Sequence, residues 1–356
     1  MNTKTEKQLA KLLSEAGNGA RGITLWSGAS LYDGTPIKVV LRFDGNGKTG
    51  KMHTVYILPD ETHTGKTYNE ARQQGLDTGN CGDCPLKGHY SADAGRTIDR
   101  ICYVTGNGLH GLHGSIVRGN YPWLRKLAEQ VGAGIQDTID YLSPTTKPLR
   151  LGGWGDAAMV PWEVWHSIRA HERENCTNYT HQWRWLNIHY SGYCSEQEAY
   201  MRSISMASCH CPQDVRDATK LNWRKFITVP PLQDLVENYQ ARDLKHARQI
   251  VTAALRELQD KEHLAFGYEI EDKLARCPAD HNLPNPITCE RCPIGCRGRE
   301  SRILGVWGSM EMAPNHTDVW IPAHGAPSIM AVYRRSQHYF QWMSLFSEII
   351  SREEAA

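Results

Sequence analysis

Four cysteines, Cys277, Cys289, Cys292 and Cys296, crowd the stretch RCPADHNLPNPITCERCPIGCRG near the C-terminal end. Its prolines and glycines suit tight turns rather than a helix or a strand. Thiolates separated by two and three residues converge on one tetrahedral ion when the loop between them reverses, so the stretch reads as a metal site, for zinc or an iron–sulfur cluster. The fourth ligand is either Cys277 or a residue from farther away. A second group, CGDCPLKGHYSADAGRTIDRICYV, holds Cys81, Cys84 and Cys102. The first two form a CxxC, and the apolar ICYV reads as a buried strand that returns the third toward them. Three thiolates make either a zinc site completed by His89 or an iron–sulfur cluster with one iron open.

Acid–base chemistry has its best candidate in LRLGGWGDAAMVPWEVW, where Gly152, Gly153 and Gly155 leave bare backbone beside one carboxylate, Asp156. That carboxylate suits a general base or a nucleophile, with Gly153 and Gly155 admitting a flat substrate. The competing reading is an N-cap or turn aspartate that satisfies backbone amides just before the helix introduced by Pro161. In YTHQWRW, His181 joins Asp156 as a catalytic candidate, and Tyr179, Gln182, Trp183 and Arg184 offer a nucleobase stacking planes and edge hydrogen bonds. A well-packed rim uses the same residue types. The CHC at Cys209 to Cys211 reads as adventitious.

Elements that position these residues follow from the pattern. Residues 4 to 15 predict a helix with Leu9, Leu12 and Leu13 on one face. IKVVLRF and MHTVYIL flank a glycine-rich turn and predict a hairpin. The turn's GxxxxGK spacing has Met52 where a phosphate loop needs Ser or Thr, and a strand follows it, so it reads as chance. Gly106, Gly108 and Gly111 stand in GxGxxG order before a predicted helix from about Ser115 to Gln130, and read as a flexible loop sooner than a dinucleotide cradle. KPLRLGG, NCTNYTH, SISMAS and RKFITV predict strands ending near Gly153, Thr180, Ala207 and Val229, at intervals of 22 to 27 residues, with helical patterns between. That rhythm predicts an α/β fold, a parallel βα barrel or part of one, with function at the strands' C-terminal ends. Residues 242 to 263 predict a long helix, DVWIPAHG a last strand delivering His324, and AVYRRSQHYFQWMSLFSEII one closing helix with Arg334 and Arg335 exposed.

The expected organisation is an N-terminal helix and linker (1–34), a β-hairpin region (35–75), a βα-repeat core carrying the first cysteine group (76–235), a long helix (236–276), and a metal-binding cysteine insertion with the last strand and closing helix (277–356). Forty basic and 39 acidic side chains leave a net charge of +1, which excludes a chain-wide polyanion surface and confines any nucleic-acid contact to a pocket. No segment approaches the roughly 20 apolar residues of a membrane span, and the first residues lack a leader's apolar core. A cytoplasmic protein is expected, whose clustered cysteines are ligands and not disulfides.

CGDCPLKG with a later CYV, LRLGGWGDAAMVP, YTHQW, the MAS strand, CPAD with TCERC, and AHG together resemble a family of phage- and prophage-encoded proteins. The resemblance covers about residues 48 to 326. In that pattern a proline follows the Gly-Asp pair and an acidic residue follows the MAS strand; here Ala157 and His210 stand there. More distantly, Cys289, Cys292, Cys296 and His324 are similar to the zinc set of tRNA-guanine transglycosylases and their DNA-acting phage relatives. That similarity implies exchange of a flipped guanine in DNA or RNA at Asp156. Cys81, Cys84 and Cys102 are similar to a radical S-adenosylmethionine site, which implies an open iron–sulfur cluster and S-adenosylmethionine. A third class is a zinc-stabilised nucleic-acid-binding or replication-accessory protein without catalysis.

Overall fold

The computed structural model describes residues 1–16, 19–45, 50–102, 104, 106–173, 176–189, 195–266, 273–276, 317–323 and 327–355. Cys277, Cys289, Cys292, Cys296 and His324 lie outside the described residues. Among the described residues twelve strands follow in chain order: β1 (Gly22–Ala29), β2 (Pro36–Arg42), β3 (His53–Pro59), β4 (His89–Ser91), β5 (Arg96–Ile98), β6 (Leu149–Arg150), β7 (Cys176–Thr177), β8 (Tyr179–Thr180), β9 (Met206–Cys209), β10 (Lys225–Val229), β11 (Lys273–Arg276) and β12 (Thr317–Pro322). One sheet runs β1-β2-β3-β6-β7, another β11-β12-β10-β9-β8, and β4 pairs with β5 alone.

The expected hairpin is β2 and β3, antiparallel from Ile37 opposite Pro59 to Arg42 opposite Thr54. Apart from a few half-exposed positions, β2 and β3 are buried along their length. Such near-continuous apolar runs belong to strands covered on both faces. β3 then pairs parallel with β6, and β6 with β7. β8 pairs parallel with β9, β9 with β10, β10 with β12, and β12 with β11. β7 and β8 are separated only by the fully buried Asn178, so one kinked segment passes from the first sheet into the second. The result is a mixed α/β fold with parallel strands. All four strands predicted from the 22-to-27-residue rhythm are present and parallel to their neighbours.

Other expectations are corrected. The linker before residue 35 contains β1, antiparallel to β2 with a register shift between Thr24 and Trp26. Gly22 there fits only without a side chain, because a Cβ would lie 2.0 Å from the Leu41 carbonyl oxygen. The GxGxxG glycines lie inside a helix, Gly106–Val117, and a second helix, Leu124–Val131, follows. The long helix spans Leu244–Phe266, and β11 falls in the segment assigned to it. The closing helix is two, Pro327–Tyr333 and Gln337–Ala355. Between them Arg334 and Arg335 are exposed as expected, and Arg334 also pairs with the buried Asp234 carboxylate through Nε at 2.8 Å and Nη2 at 2.7 Å. The N-terminal helix matches its prediction, with Asn2 capping Thr5 at 2.9 Å and Leu9 buried.

His53 opens β3 with its Nδ1 3.0 Å from the Ser143 hydroxyl. Burial, with Arg173 and Lys147 nearby, pulls its pKa down from 6.5 to about 4. A depressed histidine stabilises the fold fully above pH 6.5 and loses that contribution as the pH falls toward about 4, a difference on the order of 3 kcal/mol. Urea unfolding at pH 7.5 and 4.5 should show this loss, and His53→Gln should flatten the dependence between those pH values. An equally steep dependence in the variant would contradict this role.

Candidate functional site

Three successive parallel strand ends meet at one place. After β6 the chain turns through Gly152 and Gly155, both with positive φ, and delivers Asp156. The bare backbones of Gly153 and Gly155 lie against β3: a Cβ on Gly153 would meet Thr54 at 2.8 Å, and one on Gly155 the Ile57 carbonyl oxygen at 2.5 Å. Packing, not a flat ligand, requires these glycines. Asp156 is 3 % exposed. Its Oδ1 accepts from the Ala158 amide at 3.0 Å and its Oδ2 from the His181 amide at 2.7 Å. The carboxylate therefore caps the short turn Ala157–Met159, as the capping reading expects, and also ties the β6 loop to the end of β8.

His181 follows β8 and His210 follows β9. Their Nε2 atoms are 2.9 Å apart, with rings nearly parallel at 12°. The His181 Nδ1 stands 3.9 Å from Asp156 Oδ2. Burial raises the Asp156 carboxyl above the usual range, opposed by His181 and by hydrogen bonds from the Ala158 and His181 amides and Thr180. Burial lowers His181, with Asp156 and Asp214 opposing, and lowers His210 strongly, helped by His181 and His338. Two neutral imidazoles sharing one hydrogen bond can take up a proton on one ring and release one from the other. The buried carboxylate steadies the cation formed in between.

The predicted base-binding residues serve mainly to hold this centre. Gln182 is buried; it donates to the Cys81 carbonyl at 3.1 Å and accepts from the Asp83 amide at 3.3 Å. Trp183 is buried and donates to the Ser208 carbonyl at 3.2 Å. Arg184 lies 4.0 Å above the Trp183 ring and pairs with Asp214 and Asp217, each at 2.8 Å. Tyr179 packs against Phe226, ring centroids 4.1 Å apart. His181 and Arg184, with 18 % and 42 % of their side chains exposed, are partly exposed, as is Tyr179.

No protein-family model, curated protein or solved structure matches this chain. Its chemistry has to be read from its own side chains. Among the described residues, Cys211, Asp214 and His338 are a group whose ligand atoms all lie within 4.8 Å of one another. Asp214 is already engaged, accepting from the His210 and Cys211 amides at 2.7 and 3.2 Å as well as from Arg184. The first cysteine group also adjoins the centre. Cys102 returns by donating its amide to the Leu86 carbonyl at 2.8 Å, although not as the strand expected of ICYV. His89 stands on the β4–β5 hairpin with its side chain 65 % exposed, 4.0 Å from Asp99.

Sequence reasoning set His210 and Cys211 aside as part of an adventitious CHC and missed Asp214 and His338. His210 carried a usable signal, since it follows a predicted strand end as Asp156 and His181 do. His338 carried none, because the closing helix brings it in from more than a hundred residues away.

Proposed function

We propose that this protein is a nucleobase-modifying enzyme of the transglycosylase type, exchanging guanine in DNA or RNA. The observation that carries the reading is the chain Asp156, His181, His210 at three neighbouring strand ends, where parallel α/β folds place chemistry. The resemblance of the cysteine and Gly-Asp motifs to phage proteins and guanine transglycosylases supports it. Because amides hold both Asp156 oxygens, the carboxylate acts as the base behind His181 and not as the attacking atom. The bond from the sugar C1′ to the purine N9 breaks with its electron pair on N9, and the imidazole pair, having taken up one proton beforehand to form the cation opposite Asp156, gives that proton to the departing base. The incoming base gives its N9 proton to the same pair as its lone pair closes on C1′. Zinc at Cys289, Cys292 and Cys296, with Cys277 or His324, belongs to the same proposal, with a structural role.

The test is transfer of labelled guanine into single-stranded DNA, duplex DNA and tRNA by the metal-replete protein. Incorporation into one of them is expected; none into any would overturn the reading.

A further inference from the structure

Just past the end of β9 the chain puts three side chains of different chemistry within reach of one another. Cys211 follows the strand, and Asp214 stands in the first turn of the helix Pro212–Lys220. The His210 and Cys211 amides donate to Asp214 Oδ2 at 2.7 and 3.2 Å, which folds that carboxylate back over the strand end. His338 arrives from far along the chain, in the first turn of the helix Gln337–Ala355. One turn later, the fully buried Trp342 donates its Nε1 to the His210 carbonyl at 2.8 Å. Residues four apart share a helix face, so the bond that anchors Trp342 also turns His338 toward the end of β9. Its ring centroid lies 6.2 Å from that of His210.

The Cys211 sulfur, an Asp214 carboxylate oxygen and a His338 ring nitrogen all lie within 4.8 Å of one another. Around a tetrahedral zinc, with bonds of about 2.0 Å to nitrogen and oxygen and about 2.3 Å to sulfur, ligand atoms stand about 3.3–3.6 Å apart. Closing onto an ion therefore takes side-chain shifts on the order of an ångström. The hydrogen bonds on Asp214 leave it able to do so. A carboxylate has about four acceptor sites, and the two amides with Arg184, at 2.8 Å from Oδ1, take three of them. Metal-binding carboxylates are commonly held in this way by neighbouring donors. Cys211 is in no disulfide, and among the described residues the His338 ring makes no hydrogen bond. A thiolate, a carboxylate and a neutral imidazole present two negative charges to a dication, and sulfur with nitrogen selects zinc over magnesium or calcium.

We propose that Cys211, Asp214 and His338 bind a zinc ion as its three protein ligands, with the fourth position open to water or to a substrate oxygen. Three ligands with an open position are the arrangement of reactive rather than closed structural zinc. The site uses none of the cysteines of the C-terminal stretch and neither ring of the His181–His210 pair. It stands whether or not the protein exchanges bases.

The experiment loads the full chain with zinc, dialyses it against a zinc buffer, and counts zinc per chain in wild type, Cys211→Ser and His338→Gln. Each variant should hold one zinc fewer than wild type. The difference is the reading, so any zinc on Cys289, Cys292 and Cys296 cancels. In competition with a chelating dye, His338→Gln should bind that zinc roughly 100-fold or more weakly, beyond the 10–100-fold of losing a partner to a ligand. His338 is half-buried and free of hydrogen bonds, so this variant should unfold in urea with EDTA at the wild-type midpoint. With zinc the wild type alone should gain the stabilisation that binding at this site gives. Equal zinc in all three proteins, or zinc in none, would overturn the proposal.

Discussion

Asp156→Asn is expected to leave the chain folded and to slow guanine exchange by roughly a thousand-fold or more, the scale seen when a carboxylate behind a catalytic imidazole loses its charge. The side chain keeps its size, but it has one carbonyl oxygen where the carboxylate has two. The Ala158 and His181 amides both point at that group, at 3.0 and 2.7 Å, so one of them meets an NH2 instead of an acceptor. The stability cost of one such buried mismatch is about 1–3 kcal/mol, which a chain of this size should survive. Loss of the negative charge also removes the larger of the two charges that hold the His181 pKa up against burial, leaving Asp214. The acid limb of the pH–rate profile should therefore move to lower pH in whatever activity remains. Exchange at the wild-type rate would remove Asp156 from the mechanism.

The largest stability effect is expected from Arg173→Met. Arg173 is fully buried just before β7. Its Nε and Nη2 donate to the Ile168 carbonyl at 3.2 and 3.0 Å, its Nη1 to Pro144 and Lys147 at 3.1 and 2.7 Å, and its Nη2 also to the Ser143 carbonyl and hydroxyl at 2.8 and 2.9 Å. This one side chain fastens the loop that leads into β6 to the segment that leads into β7, and so sets the base of the two strands that deliver Asp156 and His181. Methionine fills similar space and removes the guanidinium from four carbonyls, of which those of Ser143 and Ile168 belong to buried residues. A loss of about 3–5 kcal/mol in urea unfolding is expected, in the range for breaking a buried charged network. A loss below about 1 kcal/mol would show that water or neighbours replace the guanidinium without difficulty.

The parts of this fold that were legible in sequence are those whose residues carry a local pattern. IKVVLRF and MHTVYIL are β-branched runs about a polar turn, and they form β2 and β3 as expected. KPLRLGG, NCTNYTH, SISMAS and RKFITV gave the strand ends, and through them the meeting of Asp156 with His181. β1 escaped notice because its register shift at Thr24 and Trp26 and its two glycines break the alternation on which a strand is recognised. β11 is four residues, KLAR, made a strand only by its distant partner β12. In the site, Gly153, Gly155, Gln182 and Trp183 have the right types for a ligand, and the fold also packs them tightly, which their types alone do not show. Arg334 is the surface charge expected, but its partner Asp234 lies a hundred residues away, so no local pattern shows the pair.

The account's central claim is that His181 and His210 act as one proton-relaying unit backed by Asp156. The measurement that tests it most directly is the rate of labelled guanine exchange in wild-type protein, His181→Ala, His210→Ala and the double variant. Members of one relay fail together, so each single variant should be about as slow as the double. Losses that multiply, or single variants that exchange as fast as wild type, would contradict it.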